Sequence, residues 1–196
     1  MIRRTLEVLR NELQYFLDLK DPDRRISSNV VLSNLLDEKG DTIFTSEDGE
    51  KSGHYLILTL VNIAQENHRK PPVRHKELAG QQLGKINPVI NLNLYVLFAA
   101  HSFTQYETSL ALISNVIGFF QTKPYFDQDN TPSLPSGIQR ITADLQSLTF
   151  EQQNYLWGLL GAKYMPSVIY KLRTVSIDEE HLINVGSAIQ TLDFLE

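Results

Sequence analysis

Residues Leu145–Ile177 read LQSLTFEQQNYLWGLLGAKYMPSVIYKLRTVSI, and their reading decides the fold class. A strand over Gln139–Leu148 runs into this stretch. Thr149 offers its hydroxyl to the orphan N–H groups of a following helix, and Gln152, three residues on, completes a capping box. Phe150–Leu160 is then helical, and Gly161 closes it in the left-handed conformation that side chains resist. Ser167–Ile177 (SVIYKLRTVSI) is rich in β-branched and aromatic residues and reads as a long strand, with Lys171 and Arg173 on one face. The stretch is a strand–helix–strand unit without a catalytic constellation.

Working outward, Ile2, Leu6, Leu9, Leu13 and Phe16 recur at helical spacing, opposite Arg3, Arg4, Glu7, Arg10 and Glu12. This predicts an amphipathic first helix that ends near Asp18–Lys20, ahead of Pro22. Asn29–Leu36 (NVVLSNLL) reads as a strand, Asp37–Asp41 as a turn, Thr42–Thr45 as a short returning strand and Ser46–Gly53 as a loop. Tyr55–Ile63 (YLILTLVNI) is apolar on both faces, as a covered central strand is. Gln65–Pro88 lacks periodicity and reads as a long excursion.

Val89–Ala100 (VINLNLYVLFAA) opens with clear alternation: Ile90, Leu92, Leu94, Val96 and Phe98 on one face, Asn91, Asn93 and Tyr95 on the other. Burying those five apolar side chains stabilises by about 1.5–3 kcal/mol apiece before entropy is subtracted. Tyr106, Leu110, Ile113, Ile117 and Phe120 predict the apolar stripe of a second helix over Gln105–Gln121. Thr122–Gly137, with Pro124, Pro132 and Pro135, reads as a second long loop. The tail after the acidic cluster at Asp178 suggests a short helix over Leu182–Leu195. The whole is a mixed α/β layer protein, expected to form a single domain over its 196 residues.

Several function classes fall away. The chain has no cysteine, which removes disulfides, thiolate nucleophiles and zinc–cysteine sites. The net charge of −5 argues against a general nucleic-acid binder. No secretory signal is readable at the amino terminus, and the apolar runs fall far short of the ~20 residues that span a bilayer, so no membrane partner is expected. His54, His68, His75, His101 and His181 show no metal-ligand spacing, and no metal or other cofactor is expected. Gly80–Lys85 lacks the spacing and the Ser or Thr of a phosphate loop. No G-x-S-x-G turn exists. Asp178–Glu180 and Glu47–Asp48 read as solvated charge rather than paired catalytic acids. The chain is expected not to be an enzyme.

Two features suggest partner contacts. The basic run His68–Lys76 places Arg69, Lys70, Arg74 and Lys76 in an otherwise acidic protein, where they could meet an acidic protein surface. The strand Ser167–Ile177, bearing Lys171 and Arg173, would template strand addition if it lay at a sheet edge. The simpler readings are a solvated loop and edge-protecting charges. A small-ligand or regulatory site on the face of Asn91, Asn93 and Tyr95 is an alternative, and an enzyme built on His101 and Glu107 is a third, weaker one.

Taken together, TLEVLRNELQYFL, NVVLSNLL, YLILTLVNI, VINLNLYVLFAA after Pro88, YETSLALISNVIGFFQTKPYF and the stretch quoted first resemble a known family. It is the cap, or tail-terminator, family of phage-tail-like contractile injection systems, the group that includes the anti-feeding prophage. The resemblance runs from about residue 5 to 178. Its most specific parts are Phe119–Phe126 and the block around Trp157, Tyr164–Ser167 and Tyr170. It implies a tail-terminator-like α+β fold, with a mixed, mainly antiparallel sheet flanked by helices. It further implies a structural subunit at the baseplate-distal end of the particle, acting as a homohexameric ring. The implied partners are the inner tube protein, whose growth it stops, and the sheath protein, whose last layer it holds. Assembly in the cytoplasm, with incorporation into the particle, is the location this implies. Some relatives extend further at the C terminus.

Overall fold

The computed structural model describes residues 1–21, 28–36, 40, 53–66, 74–78, 82–86, 90–103, 105–177 and 182–187. In chain order they form α1 (Ile2–Lys20), β1 (Ser28–Leu32), β2 (His54–Gln65), β3 (Arg74–Leu78), β4 (Gln82–Ile86) and β5 (Ile90–Ser102). There follow α2 (Tyr106–Thr122), β6 (Tyr125–Asp127), β7 (Arg140–Gln146), α3 (Phe150–Leu160), β8 (Ser167–Ile177) and β9 (Leu182–Ser187).

A six-stranded sheet runs in the order β1-β2-β5-β8-β7-β6, and a three-stranded sheet in the order β3-β4-β9. The β1–β2 pair is parallel and the remaining pairs are antiparallel, so the fold is α+β with a mixed, mainly antiparallel sheet.

The pleat sends alternate residues of the central strands into two cores. Leu56 and Leu58 of β2 and Leu94, Val96 and Phe98 of β5 join Leu13 of α1, Val116 of α2 and Leu172 of β8 in the larger one. Ile57, Leu97, Ala99 and Ile169 turn to the opposite face and meet Trp157 of α3 and Met165. Thus α1 and α2 cover one face and α3 covers part of the other. In the larger core Phe98, Phe120 and Tyr170 stack closely, with 4.0 Å between the rings of Phe120 and Tyr170, and burial pushes the Tyr170 hydroxyl's pKa up.

Lys123 closes the α1–α2 side. Its Nζ donates to Glu12 Oε2 at 2.7 Å and to the Asn130 carbonyl at 2.9 Å, joining α1 to the segment that follows α2. The cap of α3 is as its sequence demands. Gln152 N–H donates to Thr149 Oγ1 at 3.2 Å, Thr149 N–H donates to Gln152 Oε1 at 3.0 Å, and Gly161 has φ 66°.

Several expectations are corrected. β1 stops at Leu32, not Leu36: the chain bends where Ser33 gives its N–H to the Leu58 carbonyl and its own carbonyl accepts from Thr59 Oγ1. The excursion 65–88 contains β3 and β4, paired Arg74↔Ile86 through Leu78↔Gln82. Instead of a terminal helix, Leu182–Ser187 is a strand that pairs with β4. The loop 122–137 includes β6 and buries Thr131 and Leu134.

The most instructive correction concerns α2. It buries Thr108, Ser109, Leu112, Val116, Phe119 and Phe120, whereas Tyr106, Leu110 and Ile117 of the predicted stripe are exposed. Phe120 is the stripe member that is buried, and Ile113 is partly buried against the larger core. The predicted turn and strand at 37–45 and the loop 46–52 lie outside the described residues, apart from Gly40.

Candidate assembly surface

Of the six residues that the sequence singled out for partner contact, the four that are described stand on two different sheets. Arg69 and Lys70 lie outside the described residues. Arg74 and Lys76 stand on β3, an outer strand of the small sheet. Lys171 and Arg173 stand on β8, which lies between β5 and β7 rather than at an edge. Lys171 is in register with Tyr95 on one side and Asp144 on the other, its Nζ 5.9 Å from the Tyr95 ring centre. Arg173 donates from Nε to Asp144 Oδ2. That hydrogen bond and the attraction of the Asp144 charge hold the Arg173 pKa above its ordinary value. Both cations are therefore engaged within the chain, and the strand-addition reading of β8 is overturned: from Ile169 to Leu172 it is paired on both sides.

The outer strands of the large sheet are closed by the same device. At β1 the Gln14 side chain of α1 accepts from Val30 N–H at 2.8 Å and donates to the Ser28 carbonyl at 3.2 Å. At β6 the Asn130 side chain accepts from Asp127 N–H at 3.2 Å and donates to the Tyr125 carbonyl at 3.1 Å. Each carboxamide thus occupies the N–H and C=O, two residues apart, that an added strand would need. Edge backbone groups left open invite pairing with other chains, and here a side chain takes them at both ends of the sheet. Sequence reasoning missed both because the signal is a lone Gln and a lone Asn.

The alternative sites fare differently from their expectation. Asn93 is 4% exposed, with its Nδ2 donating to Glu66 Oε2 at 2.7 Å. His101 packs edge-on against Phe103 at 4.5 Å, while Glu107 is exposed in the first turn of α2. Among the described residues no three His, Asp or Glu side chains are grouped to hold a metal ion, and no helix is long and apolar enough to cross a membrane.

What the structure does leave open is apolar. On and around α3, Phe150 is 92% exposed, Leu159 82%, Tyr155 66% and Tyr164 60%, and α3 buries Trp157 alone. A groove of about 230 Å³ runs alongside, lined by apolar Leu145, Leu156 and Trp157 and equally by polar Gln146, Ser147 and Gln153. Across the sheet, α2 exposes Tyr106 (63%), Leu110 (45%) and Ile117 (38%). On α2 the three fall within about 40° of one another at 100° per residue and form one row, whereas on α3 Phe150 and Leu159 stand on opposite sides of the helix, with Glu151, Gln152 and Asn154 exposed between them.

The fold is similar to two solved assemblies. One is the sheath/tube terminator of the PVC extracellular contractile injection system in its extended state: TM-score 0.58, 14% identity, covering 100% of this chain and 65% of that one. The other is the tube-terminating cap of the anti-feeding prophage: TM-score 0.55, 12% identity, covering 96% of this chain and 60% of that one. At these identities the likeness is one of fold, and the chain spans less than two thirds of either protein's length. No curated protein sequence matches. The model of the Pvc16 N-terminal domain matches residues 5–191, nearly the entire chain, and the protein belongs to that family.

Proposed function

We propose that this protein is a structural cap subunit of a contractile injection system, which terminates the inner tube at the baseplate-distal end and holds the last sheath layer there. The observation that carries the reading is the Pvc16 N-terminal domain match over residues 5–191, joined to a fold shared with a sheath/tube terminator and a tube-terminating cap. The surface chemistry is in keeping with it. Lys171 and Arg173 are tied to neighbouring strands and the large sheet's edges are closed, while apolar side chains on α2 and α3 remain open for packing against other subunits. In this reading residues 1–196 act as one domain, in a homohexameric ring that matches a sixfold tube and sheath. The subunit is made in the cytoplasm, joins the particle there and catalyses nothing.

The test is deletion of the protein from the particle-producing cells, followed by electron microscopy. Tubes of uncontrolled length and particles that lack density at the distal end are expected, both restored by the wild-type protein. Particles of normal length with a normal distal end would sink the proposal.

A further inference from the structure

The carboxamides that close the two edges of the large sheet are placed differently, and the difference singles out Gln14. At β6 the closing side chain belongs to the turn it sits in. Asn130 also gives its backbone N–H to Asp127 Oδ1 at 3.1 Å, so the turn itself calls for a short polar residue there. At β1 the closing side chain comes from another element. Gln14 stands on α1, 14 and 16 residues before the groups it takes, and no local turn requires it. Nothing else guards that edge. Ser28–Leu32 (SNVVL) carries no charge and no proline, and its pairing with β2 runs without a bulge. Charges, prolines and bulges are the usual means by which edge strands refuse a partner.

The carboxamide is also held in one orientation. Both N–H groups of Nε2 are used, one on the Ser28 carbonyl at 3.2 Å and one on Asp18 Oδ1 at 2.9 Å, while Oε1 accepts from Val30 N–H at 2.8 Å. Turned end for end, it would set Oε1 against the Asp18 carboxylate and Nε2 against the Val30 N–H, and both contacts repel. Asp18 is exposed in the last turn of α1, where the negative end of the helix dipole disfavours a carboxylate. Helix stability does not explain an acid at that point, whereas orienting Gln14 does.

We infer that Gln14, oriented by Asp18, is a gate that keeps the large sheet from growing by strand addition at β1. With the carboxamide gone, the β1 edges of two copies pair about a twofold axis, an arrangement open to identical edges. In purified protein another copy is the one source of a strand. The gate concerns a contact that the subunit refuses, so it stands or falls independently of the cap reading.

Gln14→Leu removes both edge bonds and keeps a good helix former. Sedimentation and the exchange of the Val30 amide, followed by NMR, are measured at rising protein concentration. In the wild-type protein that amide is expected to be protected at every concentration, because its acceptor lies in the same chain. Association through any other surface leaves it protected too, so a ring does not mask the result. In Gln14→Leu it is expected to exchange about tenfold or more faster in dilute solution. Protection should return as a species of about twice the starting mass appears. A Val30 amide that stays fast at all concentrations, with wild-type sedimentation, overturns the inference, since α1 itself then shields the edge. Asp18→Ala, at an exposed position, decides the matter where Gln14→Leu does not fold. It is expected to give the same larger species at higher concentration, and wild-type sedimentation and Val30 exchange there overturn the inference.

Discussion

α1 and α3 are both surface helices packed on the same sheet, yet they meet water in opposite ways. α1 buries Thr5, Leu6, Leu9, Leu13 and Leu17 on one side. Elsewhere around its circumference it carries four basic and three acidic residues, Arg3, Arg4, Arg10 and Lys20 with Glu7, Glu12 and Asp18. Some of these are paired, as in Arg3 with Glu7. α3 buries Trp157, carries one charge and shows Phe150, Tyr155 and Leu159 to solvent. The first helix is complete as the skin of a soluble protein. The second shows large apolar side chains to water among Glu151, Gln152 and Asn154, with only Trp157 fully turned inward. The lesson is that a helix's outward residues, and not its buried ones, tell whether its chain works alone.

The comparison can be broken or sharpened by substitution, taking the largest expected effect first. Trp157→Ala removes the buried anchor of α3 and should cost about 3–5 kcal/mol of unfolding free energy, read by urea titration. Leu13→Ala, at the centre of the α1 face, should cost about 2–5 kcal/mol in the same assay. A much smaller loss at Trp157 than at Leu13 would mean that α3 is held mainly by its partners. Gly161→Ala meets no neighbouring atom, so its cost is that of forcing φ 66° on a side chain, about 1–2 kcal/mol. Thr149→Ala breaks the capping box and should cost about 1 kcal/mol. Leu159→Ala should change the stability of the isolated chain by less than about 0.5 kcal/mol. A large loss there would show that Leu159 serves the fold and not an interface.

Much of the fold was legible where the signal is local. The Thr149–Gln152 box, Gly161 and the heptad-like spacing of α1 are short-range patterns, and each element lies where they place it. The alternation in β5 predicted its two faces because a strand's period is independent of its neighbours. The small sheet was not legible, since Gln82 pairs with Ser187 and nothing near either residue announces the other. Strand order is equally silent in a sequence, so β8 could be taken for an edge when it is central. α2 misled for a different reason. It has two apolar stripes, and periodicity reports both without saying which one the chain keeps for itself. Lys171 and Arg173 were noticed for their charge, but Tyr95 and Asp144, which engage them, lie on other strands.

The central place of β8 has a consequence for how the protein is made. β5 is complete by residue 102, but its partner on one side is 167–177. Until that strand emerges from the ribosome, β5 lacks its neighbour and the larger core lacks Tyr170 and Leu172. Pairing across such separations is slow, because loop closure comes before any contact is gained. α3 precedes β8 in the chain, so its exposed aromatic surface is synthesised before the sheet beneath it can close. The nascent subunit thus passes through a window in which it is both unfinished and adhesive, and its yield in cells should respond to translation speed and chaperone supply more than its final stability suggests.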